Sequence, residues 1–129
     1  MVSNSFPGAS PLGKELGKSG AGVTIAQDVP PPTKRSIPVV KEYQEAIEKH
    51  LGKKEFSFTS LEAYISAKVT VEALKRAGPK LTRDAFMKAL DGMSDYDAGG
   101  YLISFSPTNH NGSDYVELLV IGKDLKFNY

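Results

Sequence analysis

Three consecutive prolines, Pro30-Pro31-Pro32, constrain this chain more than any other stretch. Each fixes φ at about −65° and supplies no amide donor, so neither a helix interior nor a central strand can run through them. They follow Gly22-Val23-Thr24-Ile25-Ala26-Gln27, whose β-branched residues predict a strand. A stiff extended connection therefore separates an N-terminal strand from everything that comes after. Such a connection is either a rigid loop or a crossing between two lobes.

Beyond the prolines the pattern turns helical. Val40, Tyr43, Ile47 and Leu51 recur at three- and four-residue steps from Pro38, predicting a helix with one buried face that stops at Gly52. Lys53 to Ser57 reads as a loop. Phe58 to Gly78 predicts a second helix, ended by Gly78-Pro79. Thr59 and Glu62 have the spacing of a capping box, in which the hydroxyl and the carboxylate each take an orphan amide. Leu61, Tyr64, Ile65, Val69 and Val71 to Leu74 are expected on its buried side, and Ala63 and Ala67 would admit another backbone. Thr82 is expected to cap a third helix, with Phe86, Ala89 and Leu90 inward and Gly92 as its stop.

Both ends read as shorter elements. Met1 to Phe6 predicts the end of a strand, Pro7-Gly8 a turn, and Ser10-Pro11 the start of a short helix closed at Gly17. Tyr101, Ile103 and Phe105 alternate with Leu102 and Ser104. Ser106 to Ser113 has turn composition. Tyr115 to Ile121 is apolar on both faces except at Glu117, which predicts a mostly buried strand. Leu125 to Phe127 predicts a last short one.

Composition rules out several kinds of chemistry. The 129 residues carry a net charge of +1 with acids and bases interspersed, so no field gathers nucleic acid, and no nucleic-acid partner is expected. There is no cysteine, which excludes disulfides and thiolate-bound metal. His50 and His110 fall in different elements without metal spacing, so neither a metal nor any other cofactor is expected. Gly17-Lys18-Ser19-Gly20 lacks the earlier glycine of a phosphate loop. No strained G-x-S-x-G elbow occurs. The residues by themselves give no enzyme. No apolar run reaches the roughly 20 residues that span a bilayer, and Met1 to Ser10 does not have the basic and apolar parts of a signal peptide.

The order of these signals resembles a known family. Gly20 to Pro32, with Gly-Val-Thr-Ile-Ala-Gln-Asp-Val-Pro inside it, is similar to the strand-to-hinge segment of periplasmic solute-binding proteins of the leucine/isoleucine/valine type. Glu62-Ala63-Tyr64 through Ala67 and Ala73-Leu74-Lys75-Arg76-Ala77-Gly78 resemble a helix of that family. Leu81-Thr82-Arg83 with Ala89-Leu90, Gly100 to Pro107, Asn109 to Ser113 and Tyr115 to Ile121 follow in the family's order. The resemblance covers nearly the whole chain, but only the C-terminal portion of such a receptor.

The resemblance implies a partial type I periplasmic-binding-protein architecture, α/β, with helices packed on short, mainly parallel strands. Residues 1–28 would be part of one lobe plus a hinge strand, 29–105 the helical part of the other lobe, and 106–129 the return strands. The implied function is extracytoplasmic, periplasmic capture of a small molecule for an ABC permease, the ligand being a branched-chain amino acid, an amide or an aromatic or organic acid. Ser3, Asn4, Ser5 and Phe6 would form one wall of the ligand cleft. Phe56, Phe58, Thr59 and Ser60, leading into a helix N-terminus, would form the other. The missing N-terminal portion of a parent would be a partner, and exposed apolar faces would drive homo-oligomerisation. Where the family's amino-acid receptors place an acid near the first wall, this sequence has none. The alternative is a stand-alone α/β interaction module, or a ligand-sensing regulatory one.

Overall fold

The computed structural model describes residues 2–3, 9–124 and 126–128. The elements run β1 (Val2–Ser3), α1 (Ala9–Leu16) with a 3-10 turn at Gly17–Gly20, β2 (Thr24–Gln27), α2 (Pro38–Leu51), α3 (Phe58–Ala77), α4 (Arg83–Asp91), β3 (Tyr96–Asp97), β4 (Leu102–Ile103), β5 (Glu117–Ile121) and β6 (Phe127–Asn128). The larger of two sheets has the order β1-β2-β5-β6, and β3 pairs with β4 in the other. The α/β class is as expected, but mainly parallel strands are not. β1 is parallel to β2, whereas β2–β5, β5–β6 and β3–β4 are antiparallel. The sheet is mixed because β5 returns to β2 from the opposite direction after the helical excursion.

Alternation sorts the larger sheet into two faces. Ile25, Leu119 and Ile121 point inward and are buried. α1 lies on that side: a Cβ at Gly13 would stand 3.6 Å from the Phe127 ring and 4.0 Å from Ile121. The other side is open. Val2, Val116, Leu118 and Val120 are 73, 67, 56 and 39% exposed. The expectation of a mostly buried strand over Tyr115 to Ile121 is thus corrected to one buried face, since none of the described residues covers the other. α1 begins at Ala9, so Ser10 lies within it rather than capping it. Pro11 still falls in the first turn, where amides lack partners in any case. The strand end expected to reach Phe6, the Pro7-Gly8 turn and the Leu125 start of the last strand lie outside the described residues.

The helices build the other layer. α2 enters through extended Ile37, has Pro38 in its first turn and ends at left-handed Gly52. Val39, Val40, Tyr43 and Gln44 are its buried residues. Leu51, expected inward, is exposed, since the helix has by then run past the core. The prolines are folded in rather than left as a bare strut: Pro30 and Pro31 are buried, Lys34 N donates to Pro31 O at 3.0 Å, and Gln44 Nε2 donates to Pro32 O at 2.7 Å.

α3 departs from expectation at its cap and in its buried stripe. Its N-cap is Ser57, whose Oγ accepts from Ser60 N at 3.2 Å. Thr59 is already helical, so the Thr59–Glu62 capping box does not form. The buried stripe is Phe58, Leu61, Ile65, Val69 and Ala73. Val71 and Leu74 are exposed, because Val71 lies about 200° round the helix from Val69 and Leu74 about 100° from Ala73. Ala63 and Ala67 are exposed too. α4 is capped and stopped as read, with Thr82 Oγ1 accepting from Ala85 N at 3.1 Å and Gly92 closing the helix, but Phe86, Ala89 and Leu90, expected inward, are only half-buried.

Inward residues of both layers join in one hydrophobic cluster, from Val23 and Ile25 through Tyr43, Leu61 and Met93 to Leu119 and Ile121. Because Ser57 is the cap, Ser57→Ala should lower stability by about 1 kcal/mol, whereas Thr59→Ala should stay within about 0.5 kcal/mol of the parent. Urea unfolding of the two variants checks this, and equal losses would return the cap to Thr59.

Candidate functional site

A cleft of about 670 Å³ lies between the two layers. It opens where β2 passes into the prolines, and its walls come from both layers. Asp28 and Val29 form the rim at the end of β2. Glu62, Ile65 and Val69 project from α3, Phe86 and Leu90 from α4, and Tyr101, Ile103 and Phe105 from the segment around β4. His110 to Asp114 close the remaining side. That loop is held in shape by its own turn: Ser106 N donates to Asn109 O at 2.9 Å and Asn109 N to Ser106 Oγ at 3.0 Å. Ser104 N donates to Gly112 O at 2.8 Å, and a Cβ on Gly112 would come within 2.9 Å of the Phe105 ring, so only glycine fits there without a shift.

The lining has a definite electrostatic character. Asp28, Glu62 and Asp114 contribute carboxylates, His110 is the one base, and no lysine or arginine lines the cleft. None of those three carboxylates has an ion-pair partner among the described residues. Burial, and then the neighbouring Asp28 carboxylate, push the Glu62 carboxyl above its ordinary 4.5. The Tyr101 hydroxyl is also pushed up, chiefly by burial, with Asp28 and Glu62 adding to it and Ser113 opposing. That hydroxyl donates to Asp28 O at 2.6 Å. His110 Nε2 stands 3.3 Å from Asp91 Oδ1. Such a cleft can hold a positively charged head against carboxylates and an apolar body against Phe86 and Phe105. No group of three or more potential metal ligands gathers among the described residues.

Among the described residues, the walls named from sequence lie outside this cleft. Ser3 is on β1 opposite Ile25, and Asn4, Ser5 and Phe6 lie outside the described residues. Phe56 is half-buried with its ring edge-on to Tyr43 at 5.8 Å. Phe58 belongs to the core. Thr59 is exposed on the first turn of α3. Ser60 Oγ lies 2.5 Å from the Tyr43 hydroxyl, which also accepts from Ser57 N at 3.1 Å. Phe56 and Ser60 are thus gathered round Tyr43, where α2 meets α3. None of the four lines the 670 Å³ cleft. Sequence reasoning missed Asp28, Tyr101 and Phe105 as cleft residues. The available signals were an acid just ahead of the prolines and an alternating aromatic stretch.

Comparison with known proteins follows the fold. The family model described as periplasmic binding protein matches residues 1–124, and the chain belongs to that family. Among solved structures, a substrate-binding periplasmic protein from Ralstonia solanacearum is 34% identical, with a TM-score of 0.86 over 98% of this chain and 36% of that one. An extracellular ligand-binding receptor from Verminephrobacter eiseniae is 33% identical, with a TM-score of 0.81 over 99% of this chain and 37% of that one. A possible leucine/isoleucine/valine-binding protein from Rhodopirellula baltica is 29% identical, with a TM-score of 0.86 over 99% and 35%. No curated protein matches the chain at a significant level. The architecture is a partial type I periplasmic-binding-protein fold, and the chain spans little more than a third of the length of these relatives.

The raised Glu62 carboxyl has a measurable sign. The native chain holds its proton to higher pH than the unfolded chain does, so ionising Glu62 costs stability above its raised value, and that cost fades as pH falls towards 4.5. Glu62→Gln should therefore stabilise the chain at neutral pH, by no more than about 0.5 kcal/mol because Glu62 is partly solvated. Urea unfolding should show that gain vanish below the ordinary 4.5. A gain of the same size at both pH values would contradict the assignment.

Proposed function

We propose that this chain is the C-terminal portion of a two-lobed extracytoplasmic solute receptor that captures a small molecule in the periplasm and delivers it to an ABC permease. The observation that carries this reading is the match of residues 1–124 to the family, together with the coverage of only 36% of the Ralstonia relative. The open apolar side of the larger sheet supports it, since a stand-alone module would bury Val116, Leu118 and Val120. In this reading residues 1–28 and 106–129 belong to one lobe and 29–105 to the other. The prolines and the return segment are crossings at the hinge, and closure of the lobes traps the ligand.

Among an amino acid, an amide and an aromatic or organic acid, the unpaired carboxylates of Asp28 and Glu62 favour a ligand with an ammonium group. The relative described as a possible leucine/isoleucine/valine-binding protein accords with that choice. Ser3, Asn4, Ser5 and Phe6 and the start of α3 at Phe56, Phe58, Thr59 and Ser60 are proposed as further walls, completed only when the other parts of the receptor are present. The role is binding, not catalysis.

Two measurements test the reading. Residues 1–124, grafted in place of the matching part of the Ralstonia protein, should give a receptor that melts higher with a small ligand, gaining about 2.7 kcal/mol at a hundred times Kd. A folded chimaera indifferent to branched-chain amino acids, amides and organic acids alike would sink the assignment. The chain alone should self-associate through its open sheet face, so light scattering after size exclusion should report a dimer or larger species at micromolar concentration. A clean monomer would favour a self-contained module instead.

A further inference from the structure

We infer that Tyr101 and Tyr115 together brace the two inter-lobe crossings, and so set the angle between the sheet layer and the helical layer. The inference rests on the receptor reading for its purpose, but its geometry stands alone. The first crossing leaves β2 at Gln27-Asp28, and the second enters β5 through Ser113 to Glu117. Tyr101, only 7% exposed, comes from the helical layer beside β4. Its hydroxyl donates to Asp28 O at 2.6 Å. Its ring stands 5.7 Å from that of Tyr115, tilted by 54°.

Tyr115 closes the circuit on the sheet side. Its hydroxyl donates to Glu117 Oε2 at 2.6 Å, and its amide donates to Ser113 Oγ at 3.1 Å. Glu117 is the register partner of Gln27, the residue just before Asp28. The path from Tyr101 through Asp28, Gln27, Glu117 and Tyr115 therefore returns to Tyr101. It binds one point of the helical layer to both crossings at once. A brace at this place resists rotation of one layer on the other while leaving each layer's own packing alone. Tyr101 is a positioning residue in this role, and Tyr115 its second anchor.

The absence of cysteine allows a direct test on the full chain. Spin labels on Lys80→Cys and Lys123→Cys, both exposed, report the distance between the layers. Labelled chain is diluted in unlabelled chain so that only distances within one molecule are read. Tyr101→Phe removes the hydroxyl and keeps the ring. It should broaden the distance distribution at least about twofold, as should Tyr115→Phe, which keeps the ring contact but loses Glu117. If Tyr101→Phe does not fold, the Tyr115→Phe distribution decides. A distribution of unchanged width in a folded variant, even one with a lowered melting temperature, makes the tyrosines ordinary core residues and overturns the brace. The labels respond without any ligand, so this outcome is separate from the ligand test of the chimaera.

Discussion

Everything in the molecule is arranged around the pairing of β2 with β5. Gln27 faces Glu117 and Thr24 faces Val120, so two segments separated by α2, α3 and α4 lie side by side. Closing so long a loop costs conformational entropy before any contact repays it. The return comes from burying Ile25 against Leu119 and Ile121 on the α1 side. The backbone adds its ladder, extended at one end by Gly22 N donating to Ile121 O at 2.8 Å. Without that pair, β1 and β6 would have no strand between them, and the prolines would lead away from nothing.

Local signals made the helices legible, and long-range ones left the sheets less so. Pro38 at the start of α2, Gly52 at its end and Thr82 at the head of α4 act on their own neighbours, so a sequence displays them plainly. The cap of α3 was misplaced by two residues because Ser57 and Thr59 are both good caps, and only the extended backbone at Ser57 decides between them. Strand direction could not be read at all: whether β5 lies along or against β2 depends on where the chain has been in between. The same limit hid the cleft. Asp28, Glu62 and Tyr101 are far apart in sequence, and no motif of fixed spacing links them to one another.

The open side of the sheet and the acidic cleft carry different information. Leu118 and Val120 are apolar residues turned towards water, an arrangement that a chain of this size does not need for its own stability. Their alternation with Leu119 and Ile121 fits a strand meant to be covered on both faces. The cleft sets carboxylates among apolar walls, whereas the open sheet face is chiefly apolar. Its carboxylates are unpaired, and Glu62 bears a cost first for its burial and then for lying near Asp28. Uncompensated like charges at the mouth of a cleft are tolerated when a partner of opposite charge completes them.

The two proposed crossings achieve their stiffness by different means. In the first, Pro30, Pro31 and Pro32 fix torsions covalently, and Gln44 ties Pro32 O down to α2. The second, from Ser113 to Val116, has no proline, so its backbone is free to turn unless side chains restrain it. Tyr115 does so from within the segment, through Glu117 and Ser113, and Tyr101 from outside it, through their ring contact. In the proposed receptor, a hinge with one crossing set by the backbone and the other by the Tyr115 hydroxyl and its ring contact has a stiff strand and a compliant one. In that reading, motion between the layers follows the softer strand, which places the Tyr115 restraints, rather than the prolines, in control of how far the clamp opens.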